Sequence, residues 1–202
     1  GDISLRLLHR ICEFCRAGWR SYFLLEQQGA SMDFKTHRAW LTPEITSQGR
    51  MPAHTPLFSW RSEGAARDEE ASDSLISLDG QWYFELFPSP IDVPDNWPSQ
   101  TETLGTIAVP GHWQLQGFDR PIYTNVKYPF PCDPPKVPEQ NPTGCYQRTI
   151  TLSNDWLANE QVRVVFDGVD SAFYLWCNES WVGYSQDSRL PAEFDITAYL
   201  HP

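Results

Sequence analysis

The residues best suited to chemistry lie in a proline-rich stretch, DRPIYTNVKYPFPCDPPKVPEQNPTGCY, at positions 119–146. Its prolines fix φ angles and remove backbone donors, so the stretch can hold a rigid, irregular path outside a sheet. Tyr123 and Asn125 stand close together in it. An aromatic ring covers the C–H face of a sugar, and an amide both donates to and accepts from hydroxyls. The stretch could therefore grip a sugar, although a purely structural crossover in a β protein has the same composition.

The overall charge and composition exclude several classes of function. The chain has 202 residues and a formal net charge of −11, whereas a nucleic-acid-binding surface needs a dense basic patch. Nine Trp and eight Tyr give a high aromatic content, which suits an all-β core and carbohydrate recognition. No segment is apolar and long enough to cross a bilayer. We therefore predict neither a nucleic-acid nor a membrane partner.

The cysteines indicate a reducing compartment. There are five of them, an odd number, and Cys12 and Cys15 form a C-x-x-C pair without the second half that a zinc site needs. Free thiols are the expected state, which predicts a cytoplasmic protein. Cys177 ends the apolar run FYLWC and is expected to be a buried, inert thiol.

The last two thirds of the sequence have the pattern of short strands separated by turns. Trp82, Phe84 and Leu86 alternate with other residues, and 161–166 (QVRVVF) and 172–177 (AFYLWC) are strongly β-forming. Regularly spaced strands without a long helical period predict an all-β fold, a jelly-roll β-sandwich. The pattern stops soon after AEFDITAYL, so we expect the sandwich to be incomplete at its C-terminal end.

Two segments precede this predicted domain, which we place at 75–202. Residues 32–74 are spotted with Pro and Gly and predict an extended arm that wraps a neighbouring domain or subunit. Residues 1–31 are expected to be a non-family extension that is either encoded upstream or otherwise foreign to the fold. Their apolar spacing is typical of a short amphipathic helix, with apolar positions at Leu5, Leu8, Ile11, Cys12 and Cys15.

Four stretches carry a resemblance to a known family: 77–90 (SLDGQWYFELFPSP), 109–130 (VPGHWQLQGFDRPIYTNVKYPF), 141–150 (NPTGCYQRTI) and 166–200 (FDGVDSAFYLWCNESWVGYSQDSRLPAEFDITAYL). Together they resemble the N-terminal sugar-binding domain of glycoside hydrolase family 2, most closely that of the large bacterial β-galactosidases. The resemblance implies a galactose-binding-like jelly roll. The arm also resembles the family segment that precedes this domain, whereas residues 1–31 resemble no part of it.

What the resemblance implies is the N-terminal part of an enzyme that hydrolyses terminal, non-reducing β-D-galactose residues, as in lactose, with retention. Retention needs two carboxyl groups about 5 Å apart, and the family places its two glutamates on a (β/α)₈ barrel later in the chain. We expect no catalytic residue in this chain, because none of its glutamates falls in a family catalytic motif; those weighed are Glu69, Glu70, Glu85, Glu139 and Glu193. The chain alone is therefore predicted to be inactive.

The family's IYTNV motif is present at 122–126. The resemblance implies that its amide, Asn125 here, reaches into the barrel's active site and binds galactose, with Val126 and, more weakly, Tyr123 beside it. A turn-forming Asn that bonds its own backbone is the alternative reading of Asn125.

The remaining candidates are expected to have structural roles. They are His112 and Trp113, which would buttress the following loop, with capping of a site as the alternative; Trp176 and Trp181, aromatics of the sandwich core, with its rim as the alternative; Asp187 and Arg189, a buried or half-buried pair that fixes a turn; and Asp167, a turn residue.

The resemblance also implies Mg²⁺ and Na⁺ as cofactors and a homotetramer for the whole enzyme. The arm motif that contributes magnesium ligands in the family reads AWLTP at 39–43. Hard cations prefer carboxylate and carbonyl oxygens, so we expect no complete metal site in this chain. Two alternative functions stay open at this point: a stand-alone carbohydrate-binding module, and part of a related family 2 enzyme such as a β-glucuronidase.

Overall fold

The computed structural model describes residues 2–10, 32–55, 58–60, 62–99, 105–121, 133, 135–187 and 189–200. The strands are β1 (Asp2–Arg10), β2 (Ser47–Gln48), β3 (Gly80–Phe87), β4 (Gly105–Val109), β5 (Thr143–Thr151), β6 (Arg163–Phe166), β7 (Ala172–Cys177), β8 (Ser180–Gln186) and β9 (Ala192–Asp195). The helices are the short α1 (Phe34–His37), α2 (Glu63–Arg67) and α3 (Asn154–Leu157), with 3₁₀ turns at Ala39–Leu41, Pro90–Asp92, Trp97–Ser99, Trp113–Gln116 and Thr197–Tyr199.

Two antiparallel sheets form the fold. The larger sheet has seven strands in the order β2-β8-β7-β1-β5-β3-β4, and the smaller one pairs β6 with β9. The smaller sheet packs on one face of the larger: the ring of Phe173 on β7 lies 5.0 Å from that of Phe166 and 5.9 Å from that of Phe194. The prediction of an all-β sandwich is confirmed.

Strand β7 is buried on both of its faces. Phe173, Leu175 and Cys177 point into the core between the two sheets. Tyr174 and Trp176 point to the opposite face and belong to a second apolar cluster. A strand that is covered on both sides reads as a continuous apolar run, which explains the sequence AFYLWC.

The second cluster is formed by the first part of the arm lying across the outer face of the larger sheet. Phe34 lies 6.0 Å from Trp176, and Trp40 lies 5.9 Å from Tyr174, both as edge-to-face ring pairs. The backbone N–H of Ala39 donates to the Tyr174 hydroxyl at 2.8 Å. Asp33 caps α1 by accepting from the N–H of Lys35 at 2.9 Å. The arm therefore supplies one apolar layer of the fold.

The prediction of an amphipathic helix in residues 1–31 is wrong for residues 2–10, which form β1. This strand lies between β5 and β7 and pairs with both in antiparallel register. Its side chains at alternate positions, Ile3, Leu5 and Leu7, are buried in the core between the sheets. The period-two spacing of these three residues fits a strand, and the spacing from Leu5 to Leu8 that suggested a helix is incidental.

Residues 2–10 are thus part of the sheet, while the expectation that residues 1–31 are an extension from outside the family, encoded upstream of the fold, stays a prediction. The partners that hold them, β5 and β7, lie more than a hundred positions away along the chain. Ile11, Cys12 and Cys15 lie outside the described residues, and the boundary at residue 31 stays a prediction.

We expect Leu5→Ala to lower the free energy of unfolding by about 2–5 kcal/mol, because Leu5 is 1% exposed and its removal leaves a cavity in the core. Thr149→Ala is the matched control, since Thr149 is exposed on β5 beside β1; its effect should stay within about 0.5 kcal/mol. Chemical denaturation of both variants measures the difference. Two equally small effects would mean that β1 contributes no core.

Candidate functional site

The predicted sugar-binding residues Tyr123, Asn125 and Val126 lie outside the described residues, and their roles stay predictions. The structure describes the two segments from which this loop departs and to which it returns. These segments are 105–121 before the loop and 135–151 after it. Their packing decides how firmly the base of the loop is held.

The segment before the loop is fixed by a side-chain amide and a buried tryptophan. Gln116 Nε2 donates to the carbonyl of Ala108 at 3.0 Å, and Gln116 Oε1 accepts from the N–H of Ala108 at 2.9 Å. These two hydrogen bonds tie the 3₁₀ turn Trp113–Gln116 back onto β4. Trp113 is 1% exposed and its ring lies 5.9 Å from that of Phe84 on β3. Phe118 packs edge-to-face on the same phenyl ring at 4.6 Å.

The segment after the loop is fixed by buried polar groups. The N–H of Asn141 donates to the carbonyl of Pro88 at 3.0 Å, and the hydroxyl of Thr143 donates to the carbonyl of Asn141 at 2.9 Å. Asn141 and Thr143 are both buried. A backbone that enters β5 in this way has its polar groups satisfied and little freedom to shift.

The two segments meet at Gly144 on β5. A Cβ at this position would lie 2.4 Å from a ring carbon of Trp113 and 2.7 Å from a ring carbon of Phe84. Only a glycine allows the indole to come this close to the strand, so this contact joins the segment before the loop to the segment after it. Sequence reasoning expected Trp113 to support the loop but missed Gly144, because a glycine inside a strand pattern shows a close approach without showing to what.

The other aromatic and polar candidates have the following places. Trp176 is 2% exposed, but it is buried in the second apolar cluster beneath the arm and not in the core between the two sheets. Trp181 is half-buried, with its ring 6.2 Å from that of His37. Asp187 and Arg189 are both exposed, so the expectation of a buried or half-buried pair is wrong. The Asp187 carboxylate accepts from the backbone N–H of Arg189 at 3.1 Å, and the turn needs no buried ion pair.

Glu193, one of the carboxylates considered for catalysis, is held in an ion-pair cluster on β9. His54 Nε2 lies 2.5 Å from Glu193 Oε2, and Arg163 Nη1 lies 2.9 Å from Glu193 Oε1. The hydrogen bond from His54 Nδ1 to the carbonyl of Thr55, and then the bond and charge of Glu193, raise the pKa of His54. The N–H of Met51 donates to the Glu193 carbonyl at 2.8 Å. This cluster therefore fastens the arm to the smaller sheet.

The two cysteines within the described residues are buried, unpaired thiols. Burial raises the pKa of Cys177 to about 12. Burial, assisted by the charge of Glu85, also raises the pKa of Cys145. Since the thiolate is the nucleophile and the metal ligand, both side chains act as inert core groups, as expected for Cys177.

The arm does not fit a hard cation at the position where the family resemblance places one. Ala39 is fully buried with a methyl side chain, Trp40 packs into the aromatic cluster, and Thr42 has the single side-chain oxygen of the motif. In the part of the chain that the structure describes, no three His, Cys, Asp or Glu side chains lie close enough together to hold a metal ion. Within that same part, no helix has the length and apolar character needed to cross a membrane.

Comparison with known proteins gives consistent matches. The model of the family described as glycosyl hydrolases family 2, sugar binding domain, matches residues 75–202. A protein of Aeromonas hydrophila named Beta-galactosidase is 58% identical over 170 residues, covering 80% of this chain and 17% of the relative. Proteins of the same name from Pectobacterium atrosepticum and Yersinia enterocolitica are 55% and 54% identical over 175 and 165 residues, covering 86% and 81% of this chain. The chain spans 16–17% of the length of these relatives.

We expect Gly144→Ala to destabilise the chain by about 1–3 kcal/mol, because the added methyl collides with the rings of Trp113 and Phe84. Gly64→Ala is the matched control: Gly64 lies in the exposed helix α2 with only one atom within 4 Å of the new methyl, and the change should be neutral or stabilising. Urea denaturation compares the two. A Gly144→Ala variant with the same free energy of unfolding as the original chain would show that Trp113 does not lie against β5.

The His54–Glu193 contact should strengthen as the pH falls. A raised pKa means that the folded chain binds the proton more tightly, so the stabilisation is fully present below the ordinary histidine pKa of about 6.5 and is lost as the pH rises through the raised pKa. An NMR titration of the His54 ring, with protection of the Met51 amide followed in parallel, measures this. Glu193→Gln should abolish the carboxylate's part of the shift. A pKa of wild-type His54 at or below the ordinary value of about 6.5 would contradict the contact.

Proposed function

The chain belongs to glycosyl hydrolase family 2, and from this membership we propose that it is the N-terminal part of a retaining β-galactosidase. The observation that carries the proposal is the match of residues 75–202 to the family's sugar-binding domain together with relatives named Beta-galactosidase at 54–58% identity. The substrates would be terminal β-D-galactosides such as lactose. The catalytic glutamates would lie on a barrel outside this chain.

In this function the chain contributes a scaffold and one substrate-binding loop. Asn125 would bind galactose hydroxyls, because its carboxamide offers two donors and one acceptor group. Val126 and Tyr123 would shape the same loop. The support for this role is the loop's base, where Trp113 lies against Gly144 and Gln116 clamps β4. A binding group on a fixed base loses less entropy when its ligand arrives.

The remaining expectations concern the whole enzyme. We propose Mg²⁺ and Na⁺ as its cofactors, with ligands supplied outside the described residues, because the motif at 39–43 does not fit them. We also propose a cytoplasmic homotetramer in which the arm contacts another subunit. The exposed part of the arm offers apolar side chains for such a contact: Phe58 is 71% exposed and its ring lies 6.1 Å from that of Trp60.

The test is a chimeric enzyme in which residues 32–202 replace the matching segment of the Aeromonas hydrophila relative. We expect it to hydrolyse a nitrophenyl β-galactoside, which requires residues 32–202 to complete the relative's site. Asn125→Ala should then lower kcat/KM by about 5- to 150-fold, since one hydrogen-bonding side chain is worth about 1–3 kcal/mol. Asn96→Ala, at an exposed position, should leave kcat/KM unchanged.

Three results would contradict parts of this proposal. An Asn125→Ala chimera with unchanged kcat/KM would show that the Asn125 side chain does not bind the substrate. A folded chimera that hydrolyses no β-galactoside would mean that residues 32–202 do not complete a galactoside site. Turnover by the isolated chain, or millimolar galactose binding by it in a calorimetric titration, would favour a self-contained module over a part of a larger enzyme.

A further inference from the structure

We propose that the side chain of Gln186 fastens the arm to the larger sheet in place of a divalent cation, so that the arm of this chain stays docked with or without magnesium. The residues at 39–43 do not fit the cation that the family resemblance places there, yet the first part of the arm packs on the sheet as one apolar layer. Other groups must therefore fasten it, and they meet at the end of β8, where Gln186 contacts the arm backbone.

Gln186 bonds the arm through both its backbone and its side chain. Its backbone N–H donates to the carbonyl of Thr46 at 2.8 Å, and its side-chain Nε2 donates to the carbonyl of Ile45 at 3.2 Å. The same Nε2 donates to the hydroxyl of Tyr184 at 2.6 Å, which orients the amide. Strand β2 continues the contact by pairing with β8. One amide group thus joins an arm carbonyl to a hydroxyl of the sheet.

The backbone oxygens of this part of the arm already accept hydrogen bonds. The N–H of Thr42 donates to the carbonyl of Ala39 at 3.0 Å, and the N–H of Ile45 donates to the carbonyl of Thr42 at 3.0 Å. The carbonyls of Ile45 and Thr46 accept from Gln186. Hard cations are held by carboxylate and carbonyl oxygens, so a cation here would have to compete with these N–H donors for the same carbonyls.

A positive charge is already fixed beside Gln186. Arg50 Nη1 donates to the hydroxyl oxygen of Ser185 at 3.0 Å and to the carbonyl of Gln186 at 3.4 Å. Ser185 is buried and Arg50 is half-buried. A guanidinium keeps its charge at any ordinary pH, and it disfavours a second cation beside it because like charges repel strongly where little water surrounds them. Since Arg50 belongs to the arm, its contacts are also a second tie to β8.

The side chain at position 39 fits this arrangement. Ala39 is 0% exposed, its backbone N–H donates to the Tyr174 hydroxyl at 2.8 Å, and the neighbouring ring of Trp40 packs on Tyr174. A carboxylate at so buried a position would need a cation or hydrogen-bond donors to balance its charge, whereas a methyl group needs neither. The methyl group of Ala39 and the direct bonds from Gln186 therefore belong to one mode of docking that uses no metal ion.

Hydrogen exchange of the full chain, in excess Mg²⁺ or in excess EDTA at matched ionic strength, tests the proposal. The amides of Ala39 and Gln186 report the docking of the arm, because both donate across the contact with the sheet. We expect their protection to be equal in the two solutions within about twofold, whereas a cation present at 100 times its dissociation constant would raise the protection about 100-fold.

Variants of Gln186 identify the group that fastens the arm. Gln186→Ala should speed exchange of the Ala39 amide by about 5- to 30-fold in both solutions, because the carbonyl of Ile45 loses its donor. Gln186→Glu keeps the shape without the N–H donors and should loosen the arm at least as much in EDTA. Gln81→Ala, at an exposed position on β3, is the matched control and should leave the exchange unchanged. Protected amides in β5 and β7 show that the variants remain folded.

Mn²⁺ supplies a second readout, because it binds the same oxygen ligands as Mg²⁺ and broadens the NMR signals of nearby nuclei. We expect no selective broadening of the amides of residues 39–46. Three outcomes overturn the proposal: protection of the Ala39 amide that depends on Mg²⁺ in the original chain, selective broadening of the arm amides by Mn²⁺, or Gln186 variants in which the Ala39 amide exchanges as slowly as in the original chain.

Discussion

Every inner strand of a sheet needs hydrogen-bond partners on both sides, and in this chain that requirement is met between β5 and β7 by residues 2–10. Strand β1 makes the seven-stranded sheet continuous, and its residues Ile3, Leu5 and Leu7 pack in the core between this sheet and the smaller one. Because β5 is paired on both sides, its first residues are fixed, and these are the residues that receive the chain after the predicted sugar-binding loop. The base of the loop and the N-terminal strand are therefore linked through one element.

Aromatic packing completes the fold on both faces of that sheet. On one face, Phe84 contacts Trp113, Phe118 and Tyr146 through ring pairs 4.6–5.9 Å apart. On the other face, the arm places Phe34 and Trp40 on Tyr174 and Trp176. Within the described residues, the aromatic side chains thus serve mainly to pack the fold. A high aromatic content alone is a weak indication of sugar binding in a β protein of this size.

Local patterns predicted the strands whose side chains alternate visibly. Trp82, Phe84 and Leu86 lie on β3 as expected, and the run AFYLWC forms β7. The same reasoning failed at residues 2–10, where a short apolar run fits a helical or a strand period equally well. Residues 2–10 form a strand because they pair with β5 and β7, which lie far away in the sequence. Local sequence patterns do not contain that information.

The candidate site was even less accessible to local reasoning. The composition of the proline-rich stretch allowed a sugar-binding loop or a crossover, and only the family motif at 122–126 singled out Asn125. The supports of the loop were hidden for a physical reason: Gly144 matters through the side chain it lacks, and Gln116 through a bond to a backbone eight residues earlier. Neither pattern has a sequence signature of its own.

Native-state hydrogen exchange of the full chain can show whether β1 is an inner strand, because an inner strand has partners on both edges. The amides of residues 5–7 should be protected to a degree similar to those of β5 opposite them, at residues 146–148. Exchange of these β1 amides at the rate of an unstructured peptide, while β3 and β5 remain protected, would mean that β1 does not lie between β5 and β7.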